Sequence, residues 1–308
     1  AMADVLMLYR FAPHTTANYM AKALRANGHR VYTAGRSAMA PGCKETYRVW
    51  GPHNYRLGEH ETLSLNDLGD WRPDLILWAE SGDGPMGLEG VIDAGIPLAG
   101  WFMDSHNPAK LPWHKRMAAM MDYRFCAQRP YCDALSAKWL PFACDPEIHT
   151  PRVYSEEYDL AFVGSAYGQG MYSKRYEAME RLSKRYRCNF CSGVYFEDMA
   201  DVYGSAKIGW HMSVTGADLD MRVFEIMCSG RPLVTDDADD AGLDELFGYY
   251  REGYYTYANE KGMDDLIESL LRDPAARDIE GEAGRKRVLA AHTYRHRAHQ
   301  IMQTVGLE

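Results

Sequence analysis

Ala217 to Asp237 reads ADLDMRVFEIMCSGRPLVTDD, and the reading of this stretch decides the fold. Val223, Phe224, Ile226 and Met227 recur at helical spacing, Gly230 is the residue expected just past a helix end, and Arg231-Pro232 leads into a β-rich run, Leu233 to Thr235. A helix, its stop and a strand in so short a span predict one unit of an α/β sheet. Arg222 and Glu225 are three apart, so they share one face of that helix near its positive N-terminal end. On a solvated helix they form an ordinary ion pair. In a ligand site the guanidinium and the helix amides suit a diphosphate, and the carboxylate suits a ribose diol.

The run from Arg222 to Asp237, Arg-Val-Phe-Glu-Ile-Met-Cys-Ser-Gly-Arg-Pro-Leu-Val-Thr-Asp-Asp, resembles the donor-site segment of group 1 glycosyltransferases, in particular their spore-maturation-type branch. The resemblance implies an α/β GT-B fold: two Rossmann-like domains facing a central cleft, with a nucleotide sugar held mainly by the C-terminal one. It also implies donor contacts at Arg222, Val223, Phe224 and Glu225. Retaining members carry a second acid eight residues before the ribose-binding Glu, where this chain has Ala217 with Asp218 beside it. The inverting or retaining outcome therefore stays open.

Composition fits that expectation. With 308 residues the chain is long enough for two domains, each with its own core. Its 46% apolar and 25% charged content is that of a soluble globular protein, and its net charge of -9 argues against polyanionic partners. No run approaches the roughly 18 uncharged apolar residues of a membrane helix, and no signal-peptide pattern opens the chain, so a cytoplasmic protein is expected. The odd count of 7 cysteines fits reduced thiols. Cys188 and Cys191 form a CxxC, but Cys126 and Cys132 do not supply the second half of a zinc site, so no metal and no cofactor are expected.

From the N-terminus, Val5 to Tyr9, Asn18 to Asn27 and Arg30 to Thr33 read as strand, helix and strand, closed by Gly28. The first loop lacks GxGxxG, which excludes a dinucleotide fingerprint there. A short strand is expected over Tyr47 to Trp50. Asp74 to Glu80, Ile96 to Asp104 and Tyr123 to Gln128 read as buried parallel strands, and Leu140 to Pro146 resembles the family's last strand of the first domain. Chemistry in such sheets gathers at the carboxyl ends of the strands, which singles out Glu80 to Asp83 and Trp101 to Pro108. Asp104 and His106 are the candidate bases for an acceptor hydroxyl, Asp104 reading equally as a turn cap before Asn107-Pro108. His14 is either a loop histidine or an acceptor contact.

Pro141, Pro146 and Pro151 place the domain boundary near 150, giving an acceptor-side domain over 1–150, a nucleotide-sugar domain over 151–290 and a terminal helix over 291–308 that the resemblance carries back to the first domain. After a strand at Asp159 to Val163, Gly164 and Ser165 begin a small-residue loop resembling the family's FVGSxYG segment, and such a loop lets backbone N–H groups approach a phosphate. Arg175, in the first turn of the next helix, is either kept for an anion or is a solvated helix-start residue. His211 falls at a strand end, as a phosphate donor or a structural histidine. Asp218-Leu-Asp220 reads as capping, and Tyr249 to Tyr257 as an edge strand. Pro274 is expected to break the helical pattern between Arg272 and Asp278.

Together these readings describe a metal-independent glycosyltransferase that moves a sugar from a nucleotide donor to an acceptor hydroxyl of unknown chemistry. A non-catalytic nucleotide-sugar-binding protein and a sugar-nucleotide epimerase are the alternatives, and catalysis on a bound donor separates them.

Overall fold

A computed structural model describes residues 2–37, 44, 54–56, 63–81, 95–152, 155–166, 168–216, 218–249 and 251–308. The chain divides into two compact units, Ala1–Pro141 with Tyr294–Glu308, and Phe142–Thr293. The strand expected over 47–50, together with Gly82, Asp83 and Ala217, lies outside the described residues.

Unit 1 contains β1 (Asp4–Leu8), α1 (Ala17–Ala26), β2 (Arg30–Gly35), β3 (Tyr55–Arg56), β4 (Leu75–Ala79), β5 (Leu98–Phe102), α2 (Leu111–Ala118), β6 (Tyr123–Cys126), α3 (Cys132–Leu135) and β7 (Lys138–Trp139). Among the described residues they form one parallel sheet in the order β3-β2-β1-β4-β5-β6-β7. Its central strands, LILWA and LAGWF, are apolar along their whole length because both faces are covered. On one face Leu6, Ile76, Trp78 and Phe102 pack with Met117, Ala118 and Met121. The last strand sits earlier than Leu140 to Pro146: β7 ends at Trp139, since Pro141 has no N–H for a ladder.

Unit 2 contains β8 (Tyr158–Val163), α4 (Ser173–Ser183), β9 (Cys188–Cys191), α5 (Glu197–Gly204), β10 (Ala206–Trp210), α6 (Met221–Cys228), β11 (Leu233–Asp236), α7 (Leu243–Phe247), β12 (Tyr254–Tyr257), α8 (Glu260–Arg272) and α9 (Pro274–Ala291). Its parallel sheet runs β12-β11-β10-β8-β9. The edge strand is only Tyr254–Tyr257; Tyr249 is 84% exposed and Gly253 has a positive φ, so the tyrosine run is loop before it is strand. Pro274 starts α9 rather than breaking it, because its missing N–H costs nothing at the first helical position and Asp273 caps the turn by accepting from the Ala276 N–H. The chain then enters α10 (Tyr294–Val305) in unit 1, where Tyr294 stacks on Tyr19 of α1 with ring centroids 5.1 Å apart.

Parallel pairing puts the carboxyl ends of β1, β4 and β5 on one edge of the first sheet, and those of β8, β10 and β11 on one edge of the second. In unit 2 the approach of α6 to β10 is close: a Cβ on Gly209 would lie 2.1 Å from Ile226 Cγ2. Ile226 is β-branched and fully buried, so it has little room to turn away. Gly209→Ala is therefore expected to destabilise the protein by about 1–3 kcal/mol, read as a lower midpoint in urea unfolding. A midpoint equal to the wild type's would show that the packing of α6 on the sheet is looser than the structure has it.

Candidate functional site

The carboxyl edge of the second sheet is built around the first turn of α6. Asp220 is its N-cap, its side chain accepting from the Arg222 N–H at 2.9 Å. Asp218, read together with it as a cap, does something else. It accepts from the Val214 and Thr215 N–H groups at 3.1 and 2.7 Å and from Thr215 Oγ1 at 2.8 Å, tying the loop that leads into the helix. His211, directly after β10, is buried, with Nδ1 2.8 Å from Thr235 Oγ1 and Nε2 3.2 Å from Asp220 Oδ2.

Arg175 is buried in the first turn of α4 and spends its guanidinium inside the protein. Nε donates to Met212 O at 2.7 Å, one terminal nitrogen to Ser165 O at 3.2 Å and the other to Asp220 Oδ2 at 3.3 Å, and the plane lies over the Phe162 ring. Gly164 admits this arrangement, since a Cβ there would sit 2.6 Å from the Phe162 ring. Burial pushes the Asp220 carboxyl up, but His211, Arg175 and Arg222 outweigh it and hold the group well below the usual carboxylate range.

Glu225, one turn into α6, is fully buried, as are Val223 and Phe224, which face the unit's core. Among the described residues neither Glu225 oxygen makes a hydrogen bond, although two N–H groups lie just beyond that range. Arg222 Nε lies 3.8 Å from one of them and donates to Val163 O at 2.8 Å, while His149 Nε2 lies 3.5 Å from the other. His149 Nδ1 accepts from the Asp145 N–H, so the ring proton is on Nε2 and faces the carboxylate. Burial raises the Glu225 carboxyl from 4.5 to about 7, opposed by Arg222 and reinforced by Asp220. A buried carboxylate short of donors is costly, and a pair of ligand hydroxyls is the partner that would satisfy both oxygens.

In unit 1, Asp104 and His106 follow β5 and His14 follows β1, on the same sheet edge. His14 is exposed; His106 has a buried Nδ1 that makes no hydrogen bond among the described residues. Asp104 is joined to a charge network that centres on Glu80, at the end of β4. Glu80, 2% exposed, accepts from the Met103 and Asp104 N–H groups at 2.7 and 3.0 Å and from Lys110 Nζ at 2.9 Å, and lies 3.1 Å from His114 Nε2. Burial pushes its carboxyl up, but His114 and Lys110 prevail and hold it at about 2.

Sequence reasoning marked Glu80 only as part of a strand-end cluster, and it missed Lys110, His114 and His149. Glu80 ends an apolar strand, a signal that a buried acid must be paired; His149 follows Asp-Pro in an irregular segment and carries no such signal. Among the described residues, no group of three or more His, Cys, Asp or Glu side chains is arranged to hold a metal ion, and Cys126, Cys132, Cys144, Cys188, Cys191 and Cys228 are free thiols. No described helix is long and apolar enough to cross a membrane.

A family model described as glycosyl transferase-like matches residues 150–303. No curated protein matched the chain by sequence. Among solved structures, it is similar to Anabaena HepE in complex with UDP and glucose, at 14% identity and a TM-score of 0.68 over 99% of both chains. It is similar to sucrose-phosphate synthase from Thermosynechococcus elongatus, at 13% identity and a TM-score of 0.66 over 98% of both. A UDP-N-acetylglucosamine 2-epimerase has a TM-score of 0.57 at 13% identity, covering 100% of this chain and 98% of its own. At such identities the likeness shows the fold, which is GT-B.

The raised Glu225 carboxyl has a consequence for stability. Its folded value lies above its unfolded one, so it favours the folded state below pH 4.5 and that contribution is lost as the pH rises to about 7. Glu225→Gln removes the titration while keeping the shape. The melting temperature of the variant relative to wild type is expected to climb from pH 4.5 to about 7 and level off above it. A difference that does not change with pH would mean that the carboxylate is solvated.

Proposed function

Because the chain belongs to the glycosyl transferase-like family, we propose that unit 2 binds a UDP-sugar and that the sugar passes to an acceptor hydroxyl held by unit 1. The protein is a glycosyltransferase, and the observation that carries the donor assignment is Glu225: a fully buried carboxylate neither of whose oxygens makes a hydrogen bond among the described residues, one turn into a helix whose first turn carries Arg222. A ribose diol offers two O–H donors with the spacing of a carboxylate, and the diphosphate finds the Arg222 guanidinium and the N-terminal amides of α6. The solved structure of HepE with UDP and glucose supports the choice of uridine. The resemblance of the segment from Arg222 to Asp237 supports a spore-maturation-like branch, and the free thiols fit a reducing, cytoplasmic setting.

In the transfer, the acceptor oxygen forms a bond to the anomeric carbon as the bond from that carbon to the diphosphate oxygen breaks, the electron pair leaving with UDP. Arg222 and the α6 amides stabilise the charge on the leaving group, a role that needs no metal. For an inverting transfer, which needs a base, Asp104 Oδ1 is our assignment for the group that accepts the acceptor's proton. Arg175, Gly164, Ser165 and His211 act behind the donor groups by fixing the loops after β8 and β10.

Calorimetric titration with UDP tests the donor site. Glu225→Ala is expected to weaken binding at least tenfold, the loss of a charge-assisted hydrogen bond of roughly 1.5–3 kcal/mol, and wild-type affinity in that variant would refute the assignment. Transfer should persist in EDTA; complete loss that Mg²⁺ or Mn²⁺ restores would give the leaving-group role to a metal.

A further inference from the structure

We propose that Lys110 and Glu80 are positioning residues of the transfer step: Glu80 anchors Lys110, and Lys110 fixes one oxygen of Asp104 so that the other is presented to the acceptor hydroxyl. The inference rests on the reading of Asp104 as the base and extends it to two residues that nothing in the sequence motif assigns.

The chain itself brings the three groups together. After β5, the Asn107 N–H donates to Asp104 O at 3.0 Å, Asn107 Oδ1 accepts from the Ala109 N–H at 3.0 Å, and the Lys110 N–H donates to Asn107 O at 2.9 Å. These turns fold Lys110 back over Asp104, and Nζ reaches Oδ2 at 2.5 Å. Lys110 Nζ also donates to Glu80 Oε1 at 2.9 Å, so one ammonium bridges a carboxylate that is 46% exposed and one that is 1% exposed. Among the described residues, no protein donor reaches Asp104 Oδ1.

Glu80 is held from every side. Besides the Met103 and Asp104 amides and Lys110, His114 Nε2 lies 3.1 Å from its Oε2. An ionised carboxylate only accepts, so Nε2 carries a proton, and His114 Nδ1 on the far side of the ring lies 3.0 Å from Ser105 Oγ. Ser105 in turn donates its backbone N–H to Gln128 Oε1 at 3.1 Å, and Gln128 Nε2 donates to Met103 O. Ser105 and His114 resemble a nucleophile and its base, but His114 Nε2 already faces Glu80 Oε2 and Ser105 Oγ is spent on His114 and Cys126, which makes the chain of contacts a scaffold. It pins the backbone N–H groups of Met103, Asp104 and Ser105, one residue after another, to Glu80 just after β4 and Gln128 after β6, with His114 of α2 against the side chains of Glu80 and Ser105.

This arrangement matters when the proton moves. As the acceptor O–H bond breaks and Asp104 Oδ1 takes the proton, Asp104 becomes neutral and its pull on Lys110 weakens. Glu80 stays ionised and keeps Lys110 in place, so the group that held the base before the step is still positioned to hold it afterwards. Without that anchor Lys110 is a surface lysine with free rotamers, and Asp104 is a side chain on a turn.

The experiment compares Asp104→Asn, Glu80→Gln, Lys110→Met and Lys110→Arg in transfer from UDP-glucose to water or to an added acceptor, alongside calorimetric binding of UDP. Lys110 is 23% exposed, so its substitution keeps the question answerable if Glu80→Gln fails to fold. Lys110→Met and Glu80→Gln are expected to lower kcat by about ten- to a hundredfold, the cost of a misplaced reacting group, with the KM for donor and the affinity for UDP unchanged; Lys110→Arg is expected to restore part of kcat. Wild-type kcat in both Glu80→Gln and Lys110→Met, with Asp104→Asn inactive, would overturn this inference alone. Full turnover in Asp104→Asn would remove the base, and this inference with it.

Discussion

The buried guanidinium of Arg175 is the interaction on which the second unit's edge depends. A parallel sheet delivers its strand ends to one side but says nothing about the loops that leave them. Those loops need fixed hydrogen-bond partners to hold a ligand. Arg175 supplies donors to the loop after β8, at Ser165, to the loop after β10, at Met212, and to the cap of α6, at Asp220. Arginine suits this because its planar fork carries several donors in fixed directions and stays charged when buried beside a carboxylate. Asp220 completes the arrangement: it accepts from Arg175, caps α6 and lies against His211, so the helix start and the two loops share one set of hydrogen-bond partners.

The first unit solves the same problem with the opposite charge. Glu80 ends β4 and accepts from backbone amides of the loop after β5, where Arg175 donates to carbonyls. In both cases a buried ion is tolerated because its partners are numerous and charged groups neutralise it. In both, the group proposed to face the ligand is a different carboxylate, Asp104 or Glu225, left with at least one oxygen that makes no hydrogen bond among the described residues. Rigid charged hubs behind incompletely satisfied carboxylates are a physical description of preorganisation: the loops are fixed in advance, and hydrogen-bonding capacity is reserved for the ligand.

How far this could be read from the sequence differs by residue. The buried strands are legible because LILWA and LAGWF have no polar interruption, and the end of α6 is legible because Gly230 takes a positive φ that few other residues tolerate. Pro274 was ambiguous in principle, since proline both ends and begins helices and only the capping Asp273 decides. Spacing put Arg222 and Glu225 on one face but could not say whether that face met water; the packing of α6 buries Glu225 entirely and leaves Arg222 partly exposed. The hubs were hidden for a related reason. Lys110 and Glu80 lie thirty positions apart and His149 and Glu225 seventy-six, and a single sequence carries no mark of such pairings.

The two carboxylates also differ in how they are treated, and the difference follows their proposed tasks. Glu80 is surrounded by donors and held at about 2, so it remains a fixed negative anchor through any change in its surroundings. Glu225 is starved of donors and raised to about 7, so it is poised to gain more from two new hydrogen bonds than a solvated acid would. A structural acid is stabilised in the protein alone. A binding acid is left short in the protein alone, because each donor the fold supplied would have to be displaced by the ligand. On that criterion the orphaned oxygens of Glu225 separate it from Asp220 and Asp218, which sit within a few residues of it and are fully occupied by caps and loop amides.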